Sequence, residues 1–359
     1  LLSEDSKYDV WNITQRFFWQ MVAEDAFYPV DEFLTDKYWE NVPAPARTVN
    51  DKIFTYKGTS YGFKAYPNMS GLLFFIYNKT YFAEAGAQDP QELYFAGEWD
   101  WDTFKEVALK VTEDTDGDGK IDHGVRMQQC GPGYFMVTNG VKFIEEKDGE
   151  IVFAADDEKA IRAYEGIEDI FGAADKVTHD AINPYPFPDN QRVATFRKIG
   201  TPINNKKVLP AAAENDQIAI VPMPKGPDAE RYYYPSYEKG TFVLPLNSAA
   251  PEKLVALTTY LRWRQIDGDY DGMLEDYIIN KGITDENSYR IFKESIFNWN
   301  GETILLAHSG FGYGWWHPVE KGPLGPLLNA VMYEGKSPEA AIEEHRPAIQ
   351  AFLDDLFNK

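Results

Sequence analysis

The chain has 359 residues, which favours two domains or lobes, since one domain typically holds about 100–200 residues. Hydrophobic residues make up 44% and charged residues 26%, as in a globular chain with a sizeable core, so disorder is not the expected main state. A formal net charge of −22 repels phosphate backbones and anionic lipid, which argues against nucleic-acid binding and against basic-patch docking on membranes.

The sequence has few features that fix its compartment. Cys130 is the single cysteine, so no intrachain disulfide and no cysteine-based zinc cage is expected. No run of about 18 apolar residues predicts a membrane span, and no signal peptide is visible. Because the chain starts at Leu1 without an initiator Met, the missing signal peptide has little weight.

The first third of the chain alternates between strand-like and helix-like segments. Residues 8–12 predict a strand, residues 15–28 a helix, and residues 52–63 a hairpin that turns at Lys57 and Gly58. The run GLLFFIYN at 71–78 is continuously apolar and predicts a strand buried on both faces, as in a mostly parallel sheet. A short helix then ends at Gly86.

The remaining two thirds continue this alternation, which indicates the α/β class. The clearest helix covers 99–114, with Asp102 as its expected N-cap. A strand followed by a helix is predicted within 151–174, and a long surface loop is expected at 183–207. The other predictions are strands at 217–224 and 240–246 and helices at 251–266, 287–296, 323–334 and 338–357.

An acidic loop after the 99–114 helix has the spacing of a calcium-binding loop. Asp114, Asp116, Asp118 and Asp122 place side-chain oxygens at loop positions 1, 3, 5 and 9, and Lys120 would offer its backbone carbonyl at position 7. Position 12 departs from the EF-hand pattern, because Val125 replaces the bidentate Glu. We expect a structural Ca²⁺ here, the alternative being a solvated acidic turn that needs no ion.

Motifs of catalysis are mostly absent from the sequence. It has no GxSxG, no HExxH, no Walker A sequence and no GxGxxG that opens a helix. Acidic pairs are common in so acidic a chain, so they carry no weight as catalytic carboxylates. No enzymatic activity is therefore predicted.

Several motifs in a fixed order resemble a known family. The run LLFFIYNKTYFAEAG is followed by EWDWDTFKEVALKVTEDTDGDGKIDHGV, then by AIVPMPKGP and finally by SPEAAIEEHRPAIQAFLDDL. This order is similar to that of the extracellular solute-binding proteins of ABC importers, the family-1 carbohydrate binders related to maltose-binding protein. The family's first βα unit has no counterpart here, and residues 183–213 match its aromatic-rich strand poorly.

The resemblance implies a two-lobed α/β fold, the type II periplasmic-binding-protein fold, with hinge strands between the lobes. Lobe one would hold residues 1–77 and 246–308, with its N-terminal unit missing, and lobe two would hold 78–245 and 309–359. The chain would cross between lobes near 75–78, near 242–245 and again near 309. Ligand would bridge both lobes and favour the closed form.

The resemblance also implies which residues would contact a sugar. Aromatic faces stack on the apolar faces of sugars, and polar side chains bind the hydroxyls. Segment matching gives Trp11, Asn12, Arg16, Tyr66, Asn68, Ser70, Gln129, Tyr134, Tyr237, Glu238, Trp315, Trp316 and His317.

The leading expectation is therefore a monomeric receptor that captures a sugar or oligosaccharide and delivers it to an ABC importer permease. It would be extracellular, as a cell-surface lipoprotein of a Gram-positive bacterium or in a periplasm, with a lipid anchor that this chain does not contain. A calcium-stabilised carbohydrate-active enzyme and a calcium-dependent adhesion or sensor protein are the alternatives.

Overall fold

The computed structural model describes most of the chain. The described residues are 8–40, 42–64, 72–114, 116–118, 124–126, 131–171, 193–198, 216–236, 240–266, 269–280, 283, 285–301, 324–332 and 334–357.

The first sheet joins the start of the chain to a distant strand. Strand β1 (Trp11–Thr14) pairs antiparallel with a strand at Gly240–Val243, and an isolated bridge between Phe63 and Phe242 extends this pairing on the other side. Helix α1 (Gln15–Ala23) follows β1 directly and ends before Asp25, whose φ of 53° is left-handed. The helix predicted over residues 15–28 therefore ends earlier than predicted, at Ala23.

A short helix and hairpin region completes this part of the molecule. A 3-10 helix lies at Asp31–Phe33, followed by α2 (Asp36–Trp39) and α3 (Ala44–Ile53). The predicted hairpin is confirmed as β2 (Thr55–Tyr56) and β3 (Thr59–Ser60). Lys57 and Gly58 both have positive φ, 48° and 78°, as a two-residue hairpin turn requires.

The central sheet has four strands around β4 (Leu73–Asn78). Its partners are β5 (Gly124–Arg126), β8 (Val193–Lys198) and β9 (Ile218–Pro222), in the order β5-β8-β4-β9. Strand β10 (Gly240–Val243) belongs to the first sheet. The remaining strands, β6 (Ile144–Lys147) and β7 (Glu150–Phe153), form a separate hairpin.

The apolar run in β4 is buried on both faces as predicted, but the expected parallel pairing is wrong. All six residues are buried, and Phe75 stacks on Phe104 on one face while Phe74 meets Phe292 on the other. Both neighbours of β4 nevertheless run antiparallel to it, and only β5 and β8 are parallel. The run is apolar because helices pack on both faces of β4. This burial is the same whether the neighbouring strands are parallel or antiparallel.

Helices cover both faces of the central sheet, and the other helices pack on the first sheet or on one another. Those before residue 172 are α4 (Lys79–Glu84), α5 (Pro90–Ala96), α6 (Trp101–Lys110), α7 (Gly131–Thr138) and α8 (Glu158–Phe171). Those after residue 250 are α9 (Pro251–Ile266), α10 (Tyr270–Ile279), α11 (Glu286–Asn298), α12 (Leu324–Met332) and α13 (Pro338–Phe357). None of the described helices is long and apolar enough to cross a membrane.

Two local predictions are corrected. Asp100, not Asp102, is the N-cap of α6, because Thr103 completes a reciprocal capping box with Asp100. The loop expected at 183–207 contains β8, which inserts between β5 and β4.

The last helix connects distant parts of the chain. Helix α13 packs on β7 and α12, and it also reaches α1. There the Trp19 ring meets the Phe357 ring edge to face, with centroids 6.1 Å apart. The N-terminal and C-terminal helices therefore share one apolar cluster.

Two chain connections link the first sheet to the central sheet. One runs from Lys64 to Leu72 and the other from Ser236 to Gly240. Leu72 and Ser236 form an antiparallel bridge, and the Leu73 amide donates to the Pro235 carbonyl over 3.0 Å. The predicted lobe boundaries stay a prediction, but β10 pairs with β1, although residues up to 245 were assigned to lobe two.

Candidate functional site

The turn from β1 into α1 places the first of the predicted ligand residues. Trp11 is half-buried and its ring meets the Phe27 ring edge to face at 6.3 Å, which leaves part of the indole accessible. Asn12 lies on the opposite face of the strand and is exposed. Arg16 follows in the first turn of α1. An aromatic ring can bind the apolar face of a sugar and an amide can bind its hydroxyls, but these two side chains lie on opposite faces of β1.

Thr14 is a candidate site residue that was not predicted from the sequence. Its hydroxyl is buried and has no hydrogen-bond partner among the described residues. It occupies the N-cap position of α1, yet its side chain caps no backbone amide there. The unmet hydrogen bond, not the burial, makes the Thr14 hydroxyl a candidate partner for a ligand hydroxyl. A threonine at the predicted strand-to-helix change was the available signal.

Tyr134 does not support the prediction made for it. It lies in α7, where its side chain has no solvent exposure and belongs to the main apolar cluster. A side chain in that position cannot contact a ligand at the surface, so we leave Tyr134 out of the site. Tyr134 was expected in the loop after the acidic turn, but it lies in the helix Gly131–Thr138.

The other predicted ligand residues lie outside the described residues. They are Tyr66, Asn68, Ser70, Gln129, Tyr237, Glu238, Trp315, Trp316 and His317.

Lys64 lies at the end of the first chain connection. Only 7% of its surface is exposed, and Nζ donates to the Gly240 carbonyl oxygen over 2.7 Å. Burial lowers the pKa of the Lys64 amine to about 7, and the positive charge of Arg262 lowers it further. Lys64 therefore joins the two connections where both meet the first sheet.

The acidic loop brings three carboxylates together. Ligand oxygens of Asp114, Asp116 and Asp118 all lie within 4.8 Å of one another. The Gly117 amide donates to Asp114 Oδ1 over 2.7 Å, and the Asp118 amide donates to Asp116 Oδ1 over 3.0 Å. Gly117 has a φ of 75°, which lets the chain curl around the carboxylates.

These residues fit a hard divalent cation. Three carboxylates so close together repel one another unless a cation or water intervenes. Calcium takes oxygen ligands in a flexible geometry, which this short loop can supply. The two further predicted ligands, Lys120 and Asp122, lie outside the described residues.

Comparison with solved structures identifies the fold. UgpB from Mycobacterium tuberculosis, in complex with glycerophosphocholine, has a TM-score of 0.64 at 14% identity over 97% of this chain and 84% of that one. MalE from Bdellovibrio bacteriovorus, a maltose/maltodextrin-binding domain bound to maltotriose, gives 0.63 at 16% over 97% and 85%. An ABC transporter solute-binding protein from Thermotoga lettingae, bound with α-D-tagatose, gives 0.57 at 18% over 96% and 85%.

These likenesses extend over almost the whole chain, so it has the two-lobed α/β fold of type II periplasmic binding proteins, as predicted. No family model matches the sequence, and no curated protein matches it.

Proposed function

We propose that this protein is a substrate-binding protein that captures a sugar or oligosaccharide between its lobes and delivers it to an ABC importer. The observation that carries the proposal is the shared fold over 96–97% of the chain with proteins whose structures hold sugars. Strand β1 supports it, because Trp11 offers an aromatic ring on one face of the strand, and Asn12 and Thr14 offer an amide and a hydroxyl on the other.

In this proposal, the protein binds its ligand and does not catalyse a reaction on it. The similar structures are binding proteins, and the sequence contains none of the catalytic motifs sought. The partner is a permease, and the protein is a monomer on the extracellular side of the membrane, held by a lipid anchor on a Gram-positive cell or free in a periplasm.

A thermal-shift screen tests the proposal. The panel contains maltotriose, tagatose, mannobiose and glycerophosphocholine, because proteins of this fold bind each of them. A ligand bound only by the native state at 100 times its Kd stabilises that state by about 2.7 kcal/mol, a shift of several degrees. A shift with any of the three sugars supports sugar binding, whereas a shift with glycerophosphocholine alone points to a polyol phosphodiester receptor.

Calorimetry with variants then locates the site. Trp11→Ala should raise the Kd at least tenfold for the sugar that gives a thermal shift, because a stacking aromatic is lost. Tyr260→Ala truncates an aromatic that is 57% exposed on α9 and should leave the affinity unchanged. Equal affinities for wild type and Trp11→Ala would exclude Trp11 from the site, and sustained hydrolysis of the sugar would contradict a pure binding role.

We also propose that the acidic loop binds a structural Ca²⁺ through Asp114, Asp116 and Asp118. The cation would neutralise the clustered charges and fix the chain between α6 and β5. A site filled by protein oxygens has no open position for catalysis. The proposal is supported by the approach of the three carboxylates within one short loop.

A further inference from the structure

A groove with a volume of about 760 Å³ lies between the segment that follows β9 and the C-terminal end of α11. Its lining comes mainly from residues within 225–234 and from residues 297–300. Trp11, Asn12 and Thr14 do not line it, so the groove is separate from the candidate site at β1. Its volume falls in the range of about 300–1,000 Å³ that is typical of small-molecule sites.

Three aromatic side chains line the groove, and each packs against a neighbouring ring or hydroxyl. Tyr232 is half-buried, with its ring centroid 4.8 Å from that of Tyr94. Tyr234 is buried, and its hydroxyl lies 3.0 Å from the Tyr94 hydroxyl. Phe297 is 46% exposed, and its ring meets the Tyr270 ring edge to face at 5.9 Å. Because these rings are already held in place, a ligand that stacks on the accessible ones would order few further side chains.

The charged residues that line the groove are two cations and one carboxylate, Glu230. Lys225 Nζ lies 5.9 Å from the centroid of the Tyr232 ring and forms no ion pair with any described residue. Arg231 Cζ lies 4.4 Å from the centroid of the Tyr233 ring. The chain as a whole has a net charge of −22, but salt screens exposed charges beyond about 8 Å. A small ligand in the groove would therefore respond chiefly to these nearby cations.

Two exposed amides complete the polar lining. Asn298 ends α11, and Asn300 follows two residues later. An amide both donates and accepts hydrogen bonds, which suits it to hydroxyl groups. The groove thus has partners for three features of one molecule: aromatic faces for an apolar ring face, amides for hydroxyls, and an unpaired ammonium group for a negative charge.

We propose that this groove is a second ligand site, which binds an anionic sugar: a hydroxylated ring that carries one carboxylate or phosphate group. Lys225 binds the anionic group, Phe297 and Tyr232 contact the ring, and the two amides bind hydroxyls. A neutral sugar leaves Lys225 without a partner and binds more weakly. The site is independent of the proposed function, because none of its residues belongs to the candidate site at β1.

Isothermal titration calorimetry on the whole chain tests the proposal. The ligands are glucuronate, galacturonate and glucose 6-phosphate, each compared with its neutral parent, glucose or galactose. At least one anionic sugar should bind with a Kd at least tenfold lower than that of its parent, and the comparison of glucuronate with glucose 6-phosphate shows which anionic group is preferred. No binding of any anionic sugar, or equal affinity for the anionic and neutral sugars, would overturn the proposal.

A pair of lysine variants assigns the binding to the groove. Lys225→Met removes the positive charge, keeps the length of the side chain and should raise the Kd of the anionic sugar at least tenfold. Lys253→Met is the matched control, because Lys253 is exposed on α9 and does not line the groove, and it should change the Kd less than twofold. Equal effects of the two variants would show that the ligand responds only to overall charge and would overturn the proposal.

Two further variants keep the test decisive. Phe297→Ala removes a ring that contacts the ligand and should raise the Kd about fivefold. If Lys225→Met does not fold, Lys225→Gln takes its place. Loss of binding in Trp11→Ala together with normal binding in Lys225→Met would put the anionic sugar in the candidate site at β1 and would overturn the proposal.

Discussion

Asn78 Nδ2 donates to Asp216 Oδ2 over 2.6 Å, although 138 positions separate the two residues in the sequence. The same side chain accepts from the Tyr81 amide over 3.0 Å and so caps α4. One fully buried amide therefore ends β4, begins α4 and ties both to the segment that enters β9.

Asn78→Ala should lower the free energy of unfolding by about 2–3 kcal/mol, because a helix cap and a hydrogen bond to a carboxylate are lost together. Urea denaturation measures the change. Thr35→Ala is the control, because Thr35 caps the exposed helix α2 through a single longer bond of 3.4 Å, and it should cost about 0.5 kcal/mol. Equal losses in the two variants would show that the bond to Asp216 contributes nothing.

Calcium should raise the melting temperature of the wild type, and a chelator should lower it again. Asp116→Asn removes one of the three clustered carboxylates and should abolish most of this shift, while Glu146→Gln, an exposed acidic residue on β6, should leave it intact. Differential scanning calorimetry with 1 mM calcium or excess chelator checks both. A wild type that melts at one temperature in both buffers would favour the solvated acidic turn.

Thr14→Val should separate binding from stability. Valine has the shape of threonine without the hydroxyl, so removing a buried hydroxyl that has no partner among the described residues should stabilise the fold by about 0.5–1 kcal/mol. The Kd for a bound sugar should rise about tenfold, because the hydroxyl is then missing from the site. Denaturation and calorimetry on one preparation measure both effects, and a loss of stability would mean that the Thr14 hydroxyl has a structural partner.

The pH dependence of stability should reveal the buried amine of Lys64. Its pKa is about 7 in the folded protein and has its ordinary value in the unfolded chain. At pH values between these two pKa values, the unfolded state therefore binds more protons than the folded state. The stabilising contribution of Lys64 is complete above the unfolded pKa and is lost as the pH falls toward 7. As the pH rises through this range, the free energy of unfolding of the wild type should increase relative to that of Lys64→Met, by up to about 1.4 kcal/mol per pH unit.

Urea denaturation at pH 7.5, 8.5 and 9.5 provides the comparison. Thr241→Val retains the amine and should therefore follow the pH profile of the wild type. A constant free-energy difference between wild type and Lys64→Met across the three pH values would mean that Lys64 titrates normally in the folded protein.

Local signals predicted many elements of this fold. The helix at 251–266 and the helix at 338–357 were predicted with the bounds that the structure shows, because Pro251 and Pro338 mark their first turns. The N-cap at Asp102 was wrong because two aspartates compete there, and only the position of Thr103 relative to Asp100 decides between them.

Pairing between strands was harder to predict. Strand β8 lies in a segment rich in Pro, Asn and Gly, and its neighbours in the sheet are distant in sequence. The apolar run of β4 indicates burial on both faces but carries no information on the direction of its neighbours. At the candidate site, Trp11 and Asn12 stay predictions from segment matching, whereas Tyr134 was misjudged because its burial depends on packing across the whole fold.

The contact between Trp19 and Phe357 affects how the protein is made. During synthesis, α1 emerges from the ribosome more than 300 residues before α13, so α1 lacks its packing partner while the chain between them is made. An apolar helix face without its partner is then exposed to aggregation or to chaperones for the whole period of translation. Removal of the last turn of α13 should therefore reduce the yield of folded protein in cells more than it reduces the melting temperature of the molecules that do fold.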